Sequence, residues 1–227
     1  MGERRPTQFE VQIGVHAHVK VSLGLVHMEA ARDFARRCAD IENDQKDLPW
    51  PQPRYREADR YALGSVILSV AAIEAGINET YQAAVDSVGQ RELDLPQAKA
   101  KLLAVLWNDV EQFPLLRKYQ VALVACGKEP FDAGAEPYQS AQNLIRLRNA
   151  LVHFKPEWDD DRGDHHKLEQ RLKSRFEEAQ TWKRRTGSRA WFPDRCLGAG
   201  CAKWACDSAQ ALHDEFCNRI GIDPVLG

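Results

Sequence analysis

The sequence predicts an all-α, up-and-down helical bundle, and three observations carry that expectation. Long stretches without proline repeat apolar residues at helical spacing. No two β-rich runs stand at hairpin spacing, the short FEVQIGV run included. The 227 residues are 44% apolar and 28% charged, which is globular rather than disordered and ample for a core without disulfide or metal staples. The chain reads as one domain, with a core of about 14–155 plus 197–220 and an irregular charged insertion over about 156–196, before the last helix.

The elements follow in order. Residues 16–47 lack proline and are rich in Ala, Leu, Val and charge, a long amphipathic helix. Pro49, Pro51 and Pro53 break it, and LPWPQP is a rigid connector. Residues 59–88 form a second long helix, apolar around most of its circumference; such a helix belongs in the centre of a bundle. After Pro96, residues 98–110 are helical, 113–123 form a short helix around Pro114, and 127–134 a loop. Residues 138–154 are strongly periodic, and Pro156 ends them. The charged loop EWDDDRGDHH precedes a basic-acidic helix over 167–182. KRRTGSRAWFPDRC is irregular, 198–220 is the final helix, and GIDPVLG a tail.

A net charge of −2 disfavours a protein that coats nucleic acid non-specifically, while leaving room for a local basic patch. MGERRPTQFE has charge but no apolar h-region after it, so the cytoplasm is the default compartment. The apolar run 62–73 is too short for a bilayer and reads as a buried helix, so no membrane is expected. Six cysteines occur without a CxxC pair; Cys196, Cys201 and Cys206 stand five apart, roughly 140° per step on a helix, and read as reduced, partly buried packing residues.

The helix 138–154 carries the chemistry. Leu144, Ile145, Leu147, Leu151, Val152 and Phe154 fall on one broad apolar arc, with Arg148 near its middle and Asn149 and His153 together at its edge. Arg146 points to the polar side. A charge inside an apolar stripe must be paired or face a cleft. On the second long helix, Glu74 lies in the stripe of Ile67, Val70, Ile77 and Tyr81, so Glu74 and Arg148 are expected to meet, directly or through water. Asn78 and Glu79 read as ordinary polar-face residues.

The string RNALVH resembles the R-x4–6-H motif of the HEPN superfamily, in which a polar residue usually follows the Arg. LSVAAIEAGINETY is similar to the second helix of that superfamily, an apolar helix interrupted by an acid. The resemblance covers roughly 14–155 and excludes the insertion. It implies a helical bundle that forms a homodimer, with the motif residues of two protomers in a cleft at their interface. It also implies a metal-independent endoribonuclease in a toxin or antiviral defence role, needing no cofactor, with RNA as substrate and an antitoxin protein as an optional partner. Arg148, Asn149 and His153 are then the catalytic candidates and Glu74 their support; Lys155, Arg184 and Arg185 are weaker candidates for substrate contact. Lys155 stands where members paired with a nucleotidyltransferase antitoxin often carry Tyr, so control by modifying that Tyr is not implied.

The residue types suit the reaction. RNA is cut without metal when its own 2′-OH attacks the adjacent phosphate, leaving a 2′,3′-cyclic phosphate and a 5′-OH. His153 serves as base or acid near neutral pH. Arg148 holds the phosphate by charge-assisted hydrogen bonds, and Asn149 orients His153 or a phosphate oxygen. The alternative, from another class, is a catalytically inactive HEPN-like module that binds RNA, a nucleotide or a protein through the same cleft.

Other clusters have plainer readings. Glu157, Asp159, Asp160, Asp161, Asp164, His165 and His166 include metal-ligand types but match neither EF-hand nor HExxH spacing, and read as a solvated loop. A metal-dependent hydrolase on that loop is a third possibility, separable by sensitivity to EDTA. His16 and His18, two apart, point to different sides of a helix. Lys183, Arg184, Arg185 and Arg189, between Trp182 and Trp191, combine phosphate-binding and base-stacking residue types but read first as a solvated loop. No Walker A, GxSxG or GxGxxG string is present.

Overall fold

The computed structural model describes residues 21–48, 55–87, 95–157, 163–179 and 190–227. The connector 49–54, His16, His18, the acids Asp159 to Asp161, and the cluster of Trp182, Lys183, Arg184, Arg185 and Arg189 lie outside the described residues. Within them the chain is all-α, with no strand.

Helix α1 (Leu23–Gln45) starts at Ser22, whose hydroxyl accepts from the Leu25 N–H at 3.5 Å. The remaining start of α1 is capped from outside. Glu79 accepts from the N–H groups of Leu23 and Gly24 at 2.8 and 3.0 Å, and from the Ser22 hydroxyl at 2.9 Å. A carboxylate on a helix N-terminus satisfies orphan donors and meets the positive end of the dipole. Glu79 is therefore a tertiary cap rather than an ordinary polar-face residue.

Helix α2 (Tyr55–Asp86) is the centre of the bundle and packs against α1, α3 (Gln97–Val110), α4 (Leu115–Ala125), α5 (Tyr138–Val152) and α7 (Ala199–Ile220). By length and composition alone, 56–86 is apolar enough to cross a membrane, with a mean hydropathy of 1.4 in its best window. Here its apolar face, Ala62, Val66, Val70, Ile73, Ile77 and Tyr81, is buried against the other helices.

Small residues on α2 and α7 let the two helices approach closely. Ser65 donates to the carbonyl of Ala202 at 3.2 Å, and Ser69 donates to the Cys206 sulfur at 3.6 Å. A Cβ on Gly76 would lie 2.8 Å from the His213 ring. All six cysteines are free and buried, as small apolar residues would be.

Helix α7 begins where two glycines permit backbone contact. A Cβ on Gly200 would meet the Glu177 carbonyl oxygen at 2.4 Å, and one on Gly198 the Ala179 Cα at 2.5 Å. Glu42 of α1, also buried, accepts from the Ala199 N–H at 3.2 Å. Helix α7 ends in a left-handed Gly221, φ 84°, whose N–H reaches the Cys217 carbonyl at 2.8 Å. Gly200→Ala is expected to lower stability by about 1–3 kcal/mol, because backbone must move to admit the methyl. Gly134→Ala, whose nearest neighbour would be 3.5 Å away, is the control, and urea midpoints of the two variants compare them.

The described parts of the insertion are more regular than the sequence implies. A short helix α6 spans Asp164–Leu172, starting earlier and ending sooner than the expected 167–182. Glu157 accounts for the early start, because its two oxygens accept from the Asp164 and His165 N–H groups, each at 3.1 Å. Leu168, Leu172, Trp191 and Phe192 join the main core, so the described segments 163–179 and 190–196 pack into the bundle.

Candidate functional site

Helix α5 seats the motif. Leu144 and Leu147 are fully buried and Ala141 faces the same core, while Ile145 and Leu151 are half-buried. Val152 and Phe154 are exposed, at 49% and 47%, so the apolar arc stops a turn short of where the sequence places it. The helix ends at His153, whose N–H still bonds the Asn149 carbonyl at 2.9 Å while its own backbone has left the helix, at φ −106° and ψ 41°. Asn149, His153 and Lys155 are all exposed.

Arg148 differs from them. It is half-buried, and its Nε is fully buried with no hydrogen-bond partner. The expected partnership with Glu74 is not formed. Glu74 is exposed, and no ion pair joins the two among the described residues. The cause lies in α2, whose buried face runs through Ala62, Val66, Ser69, Ile73 and Ile77. Glu74 is one residue past Ile73, about 100° around the helix, and so turns toward solvent. Asn78 finds a different task, accepting at 2.9 Å from the ammonium of Lys118, a buried cation that also lies 5.7 Å from the Trp107 ring centre.

The motif end of α5 abuts the insertion. Phe154 stacks on His165 with ring centres 5.5 Å apart and planes 20° apart; His165 in turn lies 4.8 Å from the Phe192 ring. His165 Nδ1 is 3.6 Å from a Glu157 carboxylate oxygen. The sequence marks His165 only as one ligand type in an acidic loop. Its place beside the motif depends on α6 folding back along α5, which no spacing in the chain announces. Among the described residues no group of three or more His, Cys, Asp or Glu is arranged to hold a metal ion.

A groove of about 1140 Å³ lies between α1, the 175–177 segment and the start of α7, away from the motif. Its charges are largely matched within the protein: Arg36 with Asp33, Lys203 with Asp207, and Arg175 with Glu136.

A second buried cluster is structural. The Tyr119 hydroxyl donates to the Ile73 carbonyl at 2.8 Å, which leaves its oxygen to accept from His213 Nδ1 at 3.2 Å. The bare Nε2 then faces the Cys217 thiol at 3.4 Å. Burial pushes the His213 pKa down to about 4, so the ring is neutral.

What the fold and this geometry define is an all-α bundle whose α5 ends with Asn149 and His153 exposed and Arg148 half-buried. Comparison with protein-family models, with curated proteins and with solved structures finds no match.

Proposed function

We propose that the protein is a metal-independent endoribonuclease of HEPN type, active in the cytoplasm as a homodimer in a toxin or defence role. The observation that carries this reading is the state of Arg148. A half-buried guanidinium whose Nε lacks any acceptor is costly to keep. A phosphate at the terminal nitrogens, which are not among the buried atoms left without a partner, supplies the missing counter-charge. His153, exposed at the end of the same helix, supports the reading as the proton-transfer group.

Arg148 and His153 leave the helix about 140° apart, so one protomer does not surround a single phosphate with both. A second copy laid over the exposed Val152 and Phe154 would bring its own pair to the same cleft. In that arrangement one imidazole removes the 2′-OH proton as the oxygen attacks phosphorus. Another protonates the departing 5′ oxygen. Arg148 stabilises the charge that builds on the phosphorane. The products carry a 2′,3′-cyclic phosphate and a 5′-OH.

The test is cleavage of a mixed, end-labelled RNA by the purified protein in EDTA, beside His153→Ala. The parent is expected to cut and leave cyclic-phosphate ends, and His153→Ala to lose at least about 100-fold in rate. Absence of cleavage with and without added metal moves the assignment to the binding module, in which the same cleft holds RNA, a nucleotide or a protein. Cleavage only with added metal points instead to a hydrolase using the acidic His loop.

A further inference from the structure

Positions 146, 149 and 153 of α5 stand at i, i+3 and i+7, a single stripe of the helix. Arg146, Asn149 and His153 are all exposed on it, whereas Arg148 turns inward. The cation that shares the accessible face with His153 is therefore Arg146, about 10 Å further up the helix.

Helix α6 adds a second cation at that point. It runs antiparallel to α5, tied at both ends. Near its start His165 stacks on Phe154. Just beyond its end Arg175 donates to Glu136 at 2.8 Å, to Ser140 at 3.1 Å and to Gln139 at 2.5 Å. Arg171, one helical turn before Arg175, is thereby laid beside Arg146. Burial, and secondarily the charge of Arg171, push the Arg146 pKa down, which agrees with the level at which the two ties along α5 set Arg171.

Among the described residues nothing neutralises this pair. Arg146 donates to Asn143, a neutral side chain that is itself 5% exposed and holds the guanidinium from beneath. Arg171 has no side-chain partner among the described residues. The acids nearby are engaged elsewhere: Glu136 with Arg175, Glu157 with the start of α6, Asp164 with Lys167, and Glu169 with His166 and Lys173. Two exposed guanidinium groups at the same level of neighbouring helices, without a counter-charge among the described residues, attract an anion between them.

We infer that Arg146 and Arg171 form a phosphate subsite that takes the backbone of a single-stranded RNA a short distance from the phosphate at His153. The inference rests on the ribonuclease reading for the identity of the strand. The subsite joins α5 to the insertion about 10 Å from His153, so it sets where along the RNA the reactive phosphate falls, rather than taking part in bond cleavage.

The experiment uses a fluorescein-labelled 12-nucleotide 2′-O-methyl RNA, which lacks the attacking hydroxyl, and reads binding by anisotropy across a salt series. Arg146→Gln and Arg171→Gln are each expected to weaken binding about five- to tenfold and to reduce the slope of log K against log salt by about 0.7. Arg60→Gln, an exposed arginine whose Nε bonds only the carbonyl of Arg56, is expected to leave both unchanged. Thermal midpoints of the two variants are expected to match or exceed the parent, since each removes a like-charge contact.

Binding by both variants equal to the parent overturns the subsite, as does equal weakening by Arg60→Gln, or a parent that does not bind. Equally tight, pair-dependent binding of a poly-glutamate peptide overturns it in favour of an acidic protein partner. Cleavage of ordinary RNA, run alongside, separates the two proposals. Undiminished cleavage and binding by Arg146→Gln leave the ribonuclease reading standing without this subsite. Pair-dependent binding by a protein that cuts nothing does the reverse.

Discussion

Acidification from pH 6.5 to 4 is expected to remove about 3 kcal/mol of stability through His213 alone. The imidazole is held neutral between Tyr119 and Cys217, with its pKa down to about 4, against an ordinary value of 6.5 in the unfolded chain. The folded pKa is the lower one, so between these two values the unfolded state binds the extra proton. Stability contributed by the neutral ring is complete above pH 6.5 and is lost as pH falls toward 4. Urea denaturation at half-unit intervals measures it, with direct NMR titration of the ring as the site assignment. His213→Gln is expected to flatten the slope in that window while lowering stability at pH 7. A His213 that titrates near 6.5 in the folded protein, or a slope that survives the substitution, would sink the account.

Arg148→Met is expected to reduce RNA cleavage by two to three orders of magnitude while raising stability by about 1 kcal/mol. The two effects have one origin. The guanidinium is half-buried, its Nε meets no acceptor, and no carboxylate pairs with it among the described residues. Met fills similar space without a charge or an unsatisfied N–H, so the fold gains what a phosphate would otherwise have supplied. A structural arginine behaves oppositely, and its loss would lower the urea midpoint. Arg148→Met that is both less stable and equally active would overturn the functional assignment of this residue.

Helical content was legible because periodicity is a local property. The expected boundaries of α3, α5 and α7 lie within two residues of those observed, since proline or glycine marks each end in the chain itself. The inward turn of Arg148 was legible for the same reason, whereas His153, read at the edge of the apolar arc, is exposed because that arc stops a turn early. The Glu74 partnership failed where large apolar residues were used to find the buried face of α2. The face that packs on α7 is lined by Ser65, Ser69, Ala72 and Gly76, whose burial follows from close helix approach rather than from hydropathy.

By itself, then, the sequence determined an all-α bundle, the order of its helices, and an arginine inside the apolar stripe of α5, because each depends on residues within a few turns of one another. Tertiary structure alone decided that Arg148 has no internal partner among the described residues, that Glu79 caps α1, and that α6 returns along α5 to set His165 beside Phe154. Those contacts join residues 11 to 56 positions apart. They depend on how closely backbones approach, and a single chain's hydrophobic pattern carries no record of that distance.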